Sequence, residues 1–219
     1  MLQRSTLDFL KKLKQNNNRE WFEKNKPVYN VAKKEFEEFI SAIIAGISSF
    51  DPAVKHLEAK KCLFRINRDV RFAKDKSPYK SNFGAIISPG GKKSFSAGYY
   101  IHLEPGNSFF AGGVYMPPAP ELHAIRQEID YNTKEFQKII LEKNFKKHFG
   151  KLDESDKLKT APKGYAKDHP AIEILKNKSY IVVNEVQDDQ ILKADLLKYS
   201  LKVFKTLYPF DAFLRRALD

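Results

Sequence analysis

The sequence predicts an α+β fold built on a mainly antiparallel sheet. Three observations predict it. Helical periodicity dominates the beginning and the end of the chain. Seven of the ten glycines lie between Gly84 and Gly113, a density suited to the turns and bulges of a meander. Within that block "SFSAGYYIHLE" alternates, with Phe95, Ala97, Tyr99, Ile101 and Leu103 on one face. The sheet is expected as a central meander over about 61–115 plus a strand over about 179–186, packed by N-terminal, middle and C-terminal helices.

Taken in order, Ser5 or Thr6 caps a first helix carrying Leu7, Leu10 and Leu13. Asn18 caps "REWFEKNK", in which one of Trp21 and Phe22 enters the core and the other packs at its edge. Pro27 opens a long helix with Val28, Val31, Phe36, Phe39, Ile40, Ile43, Ile44 and Ile47 at helical spacing, ended by Asp51-Pro52. "KCLFRIN" reads as a strand with Cys62, Phe64 and Ile66 on one face. "FGAIIS" is a second strand, "PGGKK" a turn, and "PGN" turns the alternating strand into "SFFAGGVY". Helices follow: Pro120 opens one, Thr133 caps a second and Asn144 a third. "SYIVVNEV" reads as a central strand, Asp188 or Asp189 caps the last long helix, and Pro209 interrupts it. One domain over 1–219 is expected, with a boundary near "KLDESDK" as the alternative.

The chain has 219 residues, enough for a sizeable core, and a net charge of +12. The charge is uneven. Residues 51–100 carry 11 basic and 4 acidic groups, net +7, while residues 101–150 balance at 6 and 6. Such a local excess attracts anions. The lone cysteine, Cys62, forbids an intrachain disulfide and favours a reducing compartment. No apolar run approaches a membrane span, and "MLQRSTLDFLKKLKQ" lacks the pattern of a signal peptide, so a cytoplasmic address without membrane contact is expected.

Several chemistries are set aside. "PGGKKS" has Ile86 where a P-loop needs its first glycine, and "GNSFFAGG" lies in a strand instead of opening a helix. There is no G-x-S-x-G. The five histidines are dispersed, with no HxxxH or Cys/His pair, so no metal and no cofactor is expected.

The strongest signal is "RINRDVRFAKDKSPYK", Arg65 to Lys80, with six cations and two aspartates. Arg65, Arg68, Arg71 and Lys74 recur every three residues, a spacing that no helix or strand gathers on one face, so an irregular loop is expected. There Arg65, Arg68, Arg71, Lys76 and Lys80 would hold an anion, with Tyr79 as a hydrogen-bond donor. The competing reading pins the loop to itself through Asp69 and Asp75. A second polar loop, "APKGYAKDHP", places His169 beside Asp168 as an acid/base pair or, alternatively, as the cap of the next helix. His102 and Tyr100 share the polar face of the alternating strand, lining a groove or simply solvated.

Together "NNNREWFEKNKPVY", "FRINRDVRFAKDKSPYKSNFGA", "GYYIHLEPGNSFFAGGVYMPP" and "LKTAPKGYAKDHPAIEILKNKSYIVV" resemble domain-of-unknown-function family 2461, in the same order over nearly the whole chain. The resemblance implies one family domain and singles out the same polar loops. It supplies no activity and no catalytic residue. The expected function is therefore binding of an anionic, phosphate- or carboxylate-bearing ligand through the 65–80 loop. An enzymatic version would use His169, Asp168 or His102 as acid/base. The alternatives are a nucleic-acid-binding protein and an interaction module without catalysis.

Overall fold

The computed structural model describes residues 2–218. Three helices open the fold: α1 (Arg4–Gln15), α2 (Arg19–Lys24) and α3 (Lys26–Ile47). One helical turn, α4 (Ala59–Cys62), precedes strands β1 (Phe83–Ile87), β2 (Gly98–Leu103) and β3 (Ser108–Val114). Helices α5 (Ala119–Tyr131), α6 (Thr133–Leu141), α7 (Lys143–Phe149) and α8 (Ile172–Leu175) separate β3 from β4 (Tyr180–Val186). The short α9 (Asp188–Ile191) and the long α10 (Leu196–Arg216) close the chain.

The sheet is antiparallel throughout, in the order β1-β2-β3-β4. The register sorts its side chains into two faces. Phe83, Ala85 and Ile87 align with Leu103, Ile101 and Tyr99, and Phe110 and Gly112 with Asn184 and Val182. This face is buried against α3 and α10. Phe36 of α3 stacks on Phe83 at 5.5 Å, and Phe204 of α10 meets both Tyr99 and Phe110 at 5.3 Å. Gly112 admits the close approach, because a Cβ there would lie 2.1 Å from Leu207. The other face carries Ile86, Tyr100, His102 and Phe109, all partly exposed, and among the described residues the long helices α3 and α10 pack on the opposite side. The apolar core is one contiguous cluster from Leu2 to Leu214.

The α+β class and the antiparallel meander match the sequence reading, but several details differ. "KCLFRIN" is not a strand: Leu63 N–H bonds back to Ala59, closing a helical turn, and only single bridges at Leu63 and Asn67 follow. The meander therefore begins at Phe83, not near 61. β4 is an edge strand, paired with β3 alone; Asp153 N–H occupies part of its other side. Its apolar outer positions Ile181 and Val183 are only partly exposed, which explains its central look. Val28 and Val31 are 47% and 60% exposed, because the buried stripe of α3 starts at Ala32. Asp188 lies in α9, and α10 starts only at Leu196. The cap of α7 is Glu142, not Asn144, and Asn132 precedes Thr133 at the start of α6. Pro209 sits inside α10 without ending it. Phe204, Leu207, Phe210, Phe213 and Leu214 are buried on both sides, and this outweighs the lost hydrogen bond of about 3 kcal/mol.

A buried polar network fixes the end of α10 to the sheet. Arg215 makes a bidentate pair with Asp51 at 3.0 and 2.7 Å and donates through Nε to the Ala97 carbonyl at 3.0 Å. The Tyr99 hydroxyl donates to the same Asp51 at 2.8 Å. Asp51 is 1% exposed. One turn before Arg215, Asp211 is fully buried and neither carboxyl oxygen completes a hydrogen bond. Burial pushes its carboxyl well above the usual range, Arg215 opposes this and Asp51 adds to it, so the neutral acid is favoured. Removing the guanidinium would strand two buried carboxyls. Arg215→Ala is expected to cost about 3–5 kcal/mol in urea unfolding, and a loss below about 1 kcal/mol would contradict the network's role.

Candidate functional site

The basic segment is a hairpin clamped at its base and irregular at its tip. Lys80 N–H bonds to the Ile66 carbonyl at 2.8 Å and Arg68 N–H to the Pro78 carbonyl at 2.9 Å. The Asn17 side chain acts as a third strand, donating to the Tyr79 carbonyl at 2.9 Å and accepting from its N–H at 3.1 Å. The Tyr79 ring is buried and stacks on Phe22 at 3.9 Å, so its bulk anchors the hairpin to α2. Trp21 remains at the core edge, as its spacing suggested.

The arginines divide. Arg71 makes a bidentate pair with Asp69 at 2.9 and 2.7 Å. Arg68 pairs with Asp75 and donates to the Ser77 carbonyl at 3.2 Å. Hydrogen bonds from Ser77, then from Arg68, hold Asp75 well below the usual carboxylate range. Lys76 reaches the Val70 carbonyl at 3.1 Å. Among the described residues Arg65, Lys74, Lys76 and Lys80 have no carboxylate partner, and of these Arg65 and Lys80 stand at the base of the hairpin. The Lys80 ammonium lies 5.3 Å from the Phe64 ring centroid, and burial followed by the nearby Arg65 lowers its pKa.

Lys80 lies beside the open face of the sheet, close enough to lower the His102 pKa, and Arg65 is near Lys80. Tyr100, His102 and Glu104 succeed one another at i, i+2 and i+4, so β2 and its continuation set them on that face. His102 Nδ1 lies 3.1 Å from the Tyr100 hydroxyl and 3.4 Å from Asn82 Nδ2. An amide nitrogen only donates, so Nδ1 is the acceptor and the proton of the neutral ring sits on Nε2. Nε2 lies 3.4 Å from Glu104 Oε2. The His102 ring stacks on Phe109, its cross-strand neighbour, at 4.6 Å and 8°. The hydroxyl of Tyr100 needs the space over Gly84, where a Cβ would approach it to 2.9 Å.

Glu104 is the hub. It accepts from Ser81 at 2.7 Å, from Asn107 at 3.1 Å and from Lys14 of α1 at 3.3 Å. Burial opposes its charge, yet these donors and His102 hold it at about 2. The turn Glu104–Asn107 has Pro105 and then Gly106 at φ +73, the pattern of a type II turn. Burial lowers the His102 pKa, Glu104 pulls it back up, and Lys80 lowers it again. Burial raises Tyr100 to about 12, so its hydroxyl serves as a neutral donor.

The second polar loop lies elsewhere. His169 Nε2 faces Asp130 of α5 at 2.8 Å, and Nδ1 accepts the Ala171 N–H at 3.0 Å, which helps start α8. Asp168 is exposed. This loop is beyond the β4 edge, while the basic hairpin is beyond the β1 edge. Two edges of a four-stranded sheet are about 14 Å apart. The structure thus sets Lys80 beside His102, with Arg65 near Lys80, and among the described residues no hydrogen bond or ion pair links His169 or Asp168 to them.

Sequence reading missed Asn82, Glu104, Phe64 and Phe109 as members of this cluster. Glu104 was within reach, because it continues the Tyr100–His102 alternation. Asn82 and Phe109 arrive through cross-strand register, which no single segment announces.

Because its folded pKa is lowered, His102 binds its proton more tightly in the unfolded chain than in the folded one. Its contribution to stability therefore falls as pH drops below 6.5. An NMR titration of the imidazole should find a midpoint below 6.5, and Glu104→Gln should lower it further. A midpoint above 6.5 would contradict the site as described.

No curated protein and no solved structure matches the chain. The family model of the conserved hypothetical protein DUF2461 matches residues 5–213, and the chain belongs to that family.

Proposed function

We propose that the protein binds an anionic ligand, bearing phosphate or carboxylate, on the open face of the sheet beside the basic hairpin. One observation carries this reading. Arg65 and Lys80, like Lys74 and Lys76, lack carboxylate partners among the described residues, and of these four Lys80 lies over Phe64 beside the Tyr100–His102–Glu104 chain, with Arg65 near it. Arg71 and Arg68 are held by Asp69 and Asp75, so they shape the hairpin and add charge at longer range.

The chemistry follows from the donors. Lys80 offers a compact point charge whose hydration is already reduced by burial. Arg65 offers a planar fork. The Tyr100 hydroxyl gives its single hydrogen to His102 Nδ1, and His102 Nε2 faces Glu104, so these groups border the anion site and orient one another.

Calorimetry with pyrophosphate tests the binding. The wild-type chain is expected to bind, and Arg65→Ala combined with Lys80→Met to weaken binding at least tenfold, about 1.4 kcal/mol. His169→Ala is expected to bind as wild type. Undiminished binding in the double variant, or no binding by the wild type, would overturn the proposal.

A further inference from the structure

The hairpin and the sheet face share a second property that a small anion does not use: both carry accessible aromatic rings among cations. At the hairpin tip Phe72 is 95% exposed, the most exposed large apolar side chain described, between Arg71 and Lys74. At its base Phe64 is 40% exposed, with Lys80 over its ring and Tyr100 edge-on at 6.2 Å. Beside them Phe109 is partly exposed on the same open face. The Arg71 guanidinium lies 5.9 Å from the Phe72 ring centroid, so the tip presents an aromatic ring and a cation side by side.

A mononucleotide would engage one ring and one phosphate site. Here rings and cations recur along a strip, from the sheet face to the tip of a hairpin. Its eleven tip residues, Arg68 to Pro78, contain two arginines, two lysines and two aspartates, and its base adds Arg65 and Lys80. The two tip ion pairs lie at the surface, where such pairs are weak and yield to a better anion. An anionic polymer with a planar group on each repeat matches a strip of this kind. A duplex hides its bases, so the matching form is single-stranded. A membrane would meet Phe72 and the tip cations, but it would leave the rings of the open sheet face unused.

We infer that the strip formed by the open sheet face and the 65–80 hairpin binds single-stranded nucleic acid, with phosphates on Arg65 and Lys80 and bases stacked on Phe64 and Phe72. The inference rests on the anion reading of the same face and names its ligand class. With Lys74 and Lys76 at the tip added to Arg65 and Lys80, four neutralised phosphates would give a salt dependence with a log–log slope of about −3.

The test is fluorescence anisotropy on the full chain with labelled single-stranded twelve-mers of U and dT, a duplex of equal length, and anionic vesicles. Inorganic pyrophosphate serves as the small-anion control. Single strands are expected to bind at least tenfold tighter than the duplex, and Phe72→Ala to weaken them about five- to tenfold while leaving pyrophosphate binding unchanged. Because Phe72 is fully at the surface, the variant leaves the core intact. Pyrophosphate binding with no tighter capture of single strands would overturn this inference and keep the anion reading. Failure of both would overturn both. Equal affinity for duplex and single strand, no effect of Phe72→Ala, or binding to vesicles alone would each overturn the single-strand assignment.

Discussion

Among the described residues the long helices cover one face of the sheet, and the polar features of the chain are placed by that constraint. Helices α3 and α10 take the apolar side through Phe36, Phe204 and Leu207. Alternation then forces Tyr100, His102 and Phe109 to the opposite side, because a strand cannot bury both faces where the long helices cover only one. The Asp51–Arg215 pair with Tyr99 locks α10 to β2 from below, so the register that fixes the upper face is set by contacts on the lower one. A slip of one residue would send His102 inward and Tyr99 outward, breaking both arrangements.

On the open side Glu104 does for polar groups what the core does for apolar ones. It draws Lys14, Ser81, Asn107 and His102 to one carboxylate, joining α1, the approach to β1 and the β2–β3 turn. The hairpin settles its own charge in a similar way, with Asp69 and Asp75 taking Arg71 and Arg68. Arg65, Lys74, Lys76 and Lys80 take no carboxylate among the described residues, the first and last at the base of the hairpin and the other two at its tip. The local excess of +7 over residues 51–100 is therefore partly architecture, and Lys80 brings part of the remainder beside the His102 chain.

Much of this was legible in the sequence, for reasons that can be named. The α+β class, the glycine-rich meander and the helix ahead of it follow from periodicity and turn chemistry. The opening of the hairpin was misread because "KCLFRIN" alternates like a strand, while Ala59, Lys60 and Lys61 favour a helical turn that consumes its first residues. β4 looked central because its apolar outer positions are shielded without a second strand. The basic segment was located from charge alone, and both readings of it find residues: Arg68 and Arg71 turn to aspartates, Arg65 and Lys80 do not. Tyr79 resembled a donor, but its ring is needed against Phe22. Asn82 and Phe109 were invisible because register is a property of paired strands. His169 reads as one of two alternatives in the sequence, and in the fold its Nδ1 accepts the Ala171 N–H at the start of α8.

The account turns on one claim, that the open face beside the hairpin is the ligand-binding surface. Amide and side-chain NMR shifts of the whole labelled chain, followed during addition of pyrophosphate, test it most directly. The account predicts that the largest shifts fall on Phe64 to Ile66, Lys80 to Asn82 and Tyr100 to Glu104, while Lys163 to His169 stays still. Shifts concentrated beyond the β4 edge, with the His102 cluster unmoved, would contradict it.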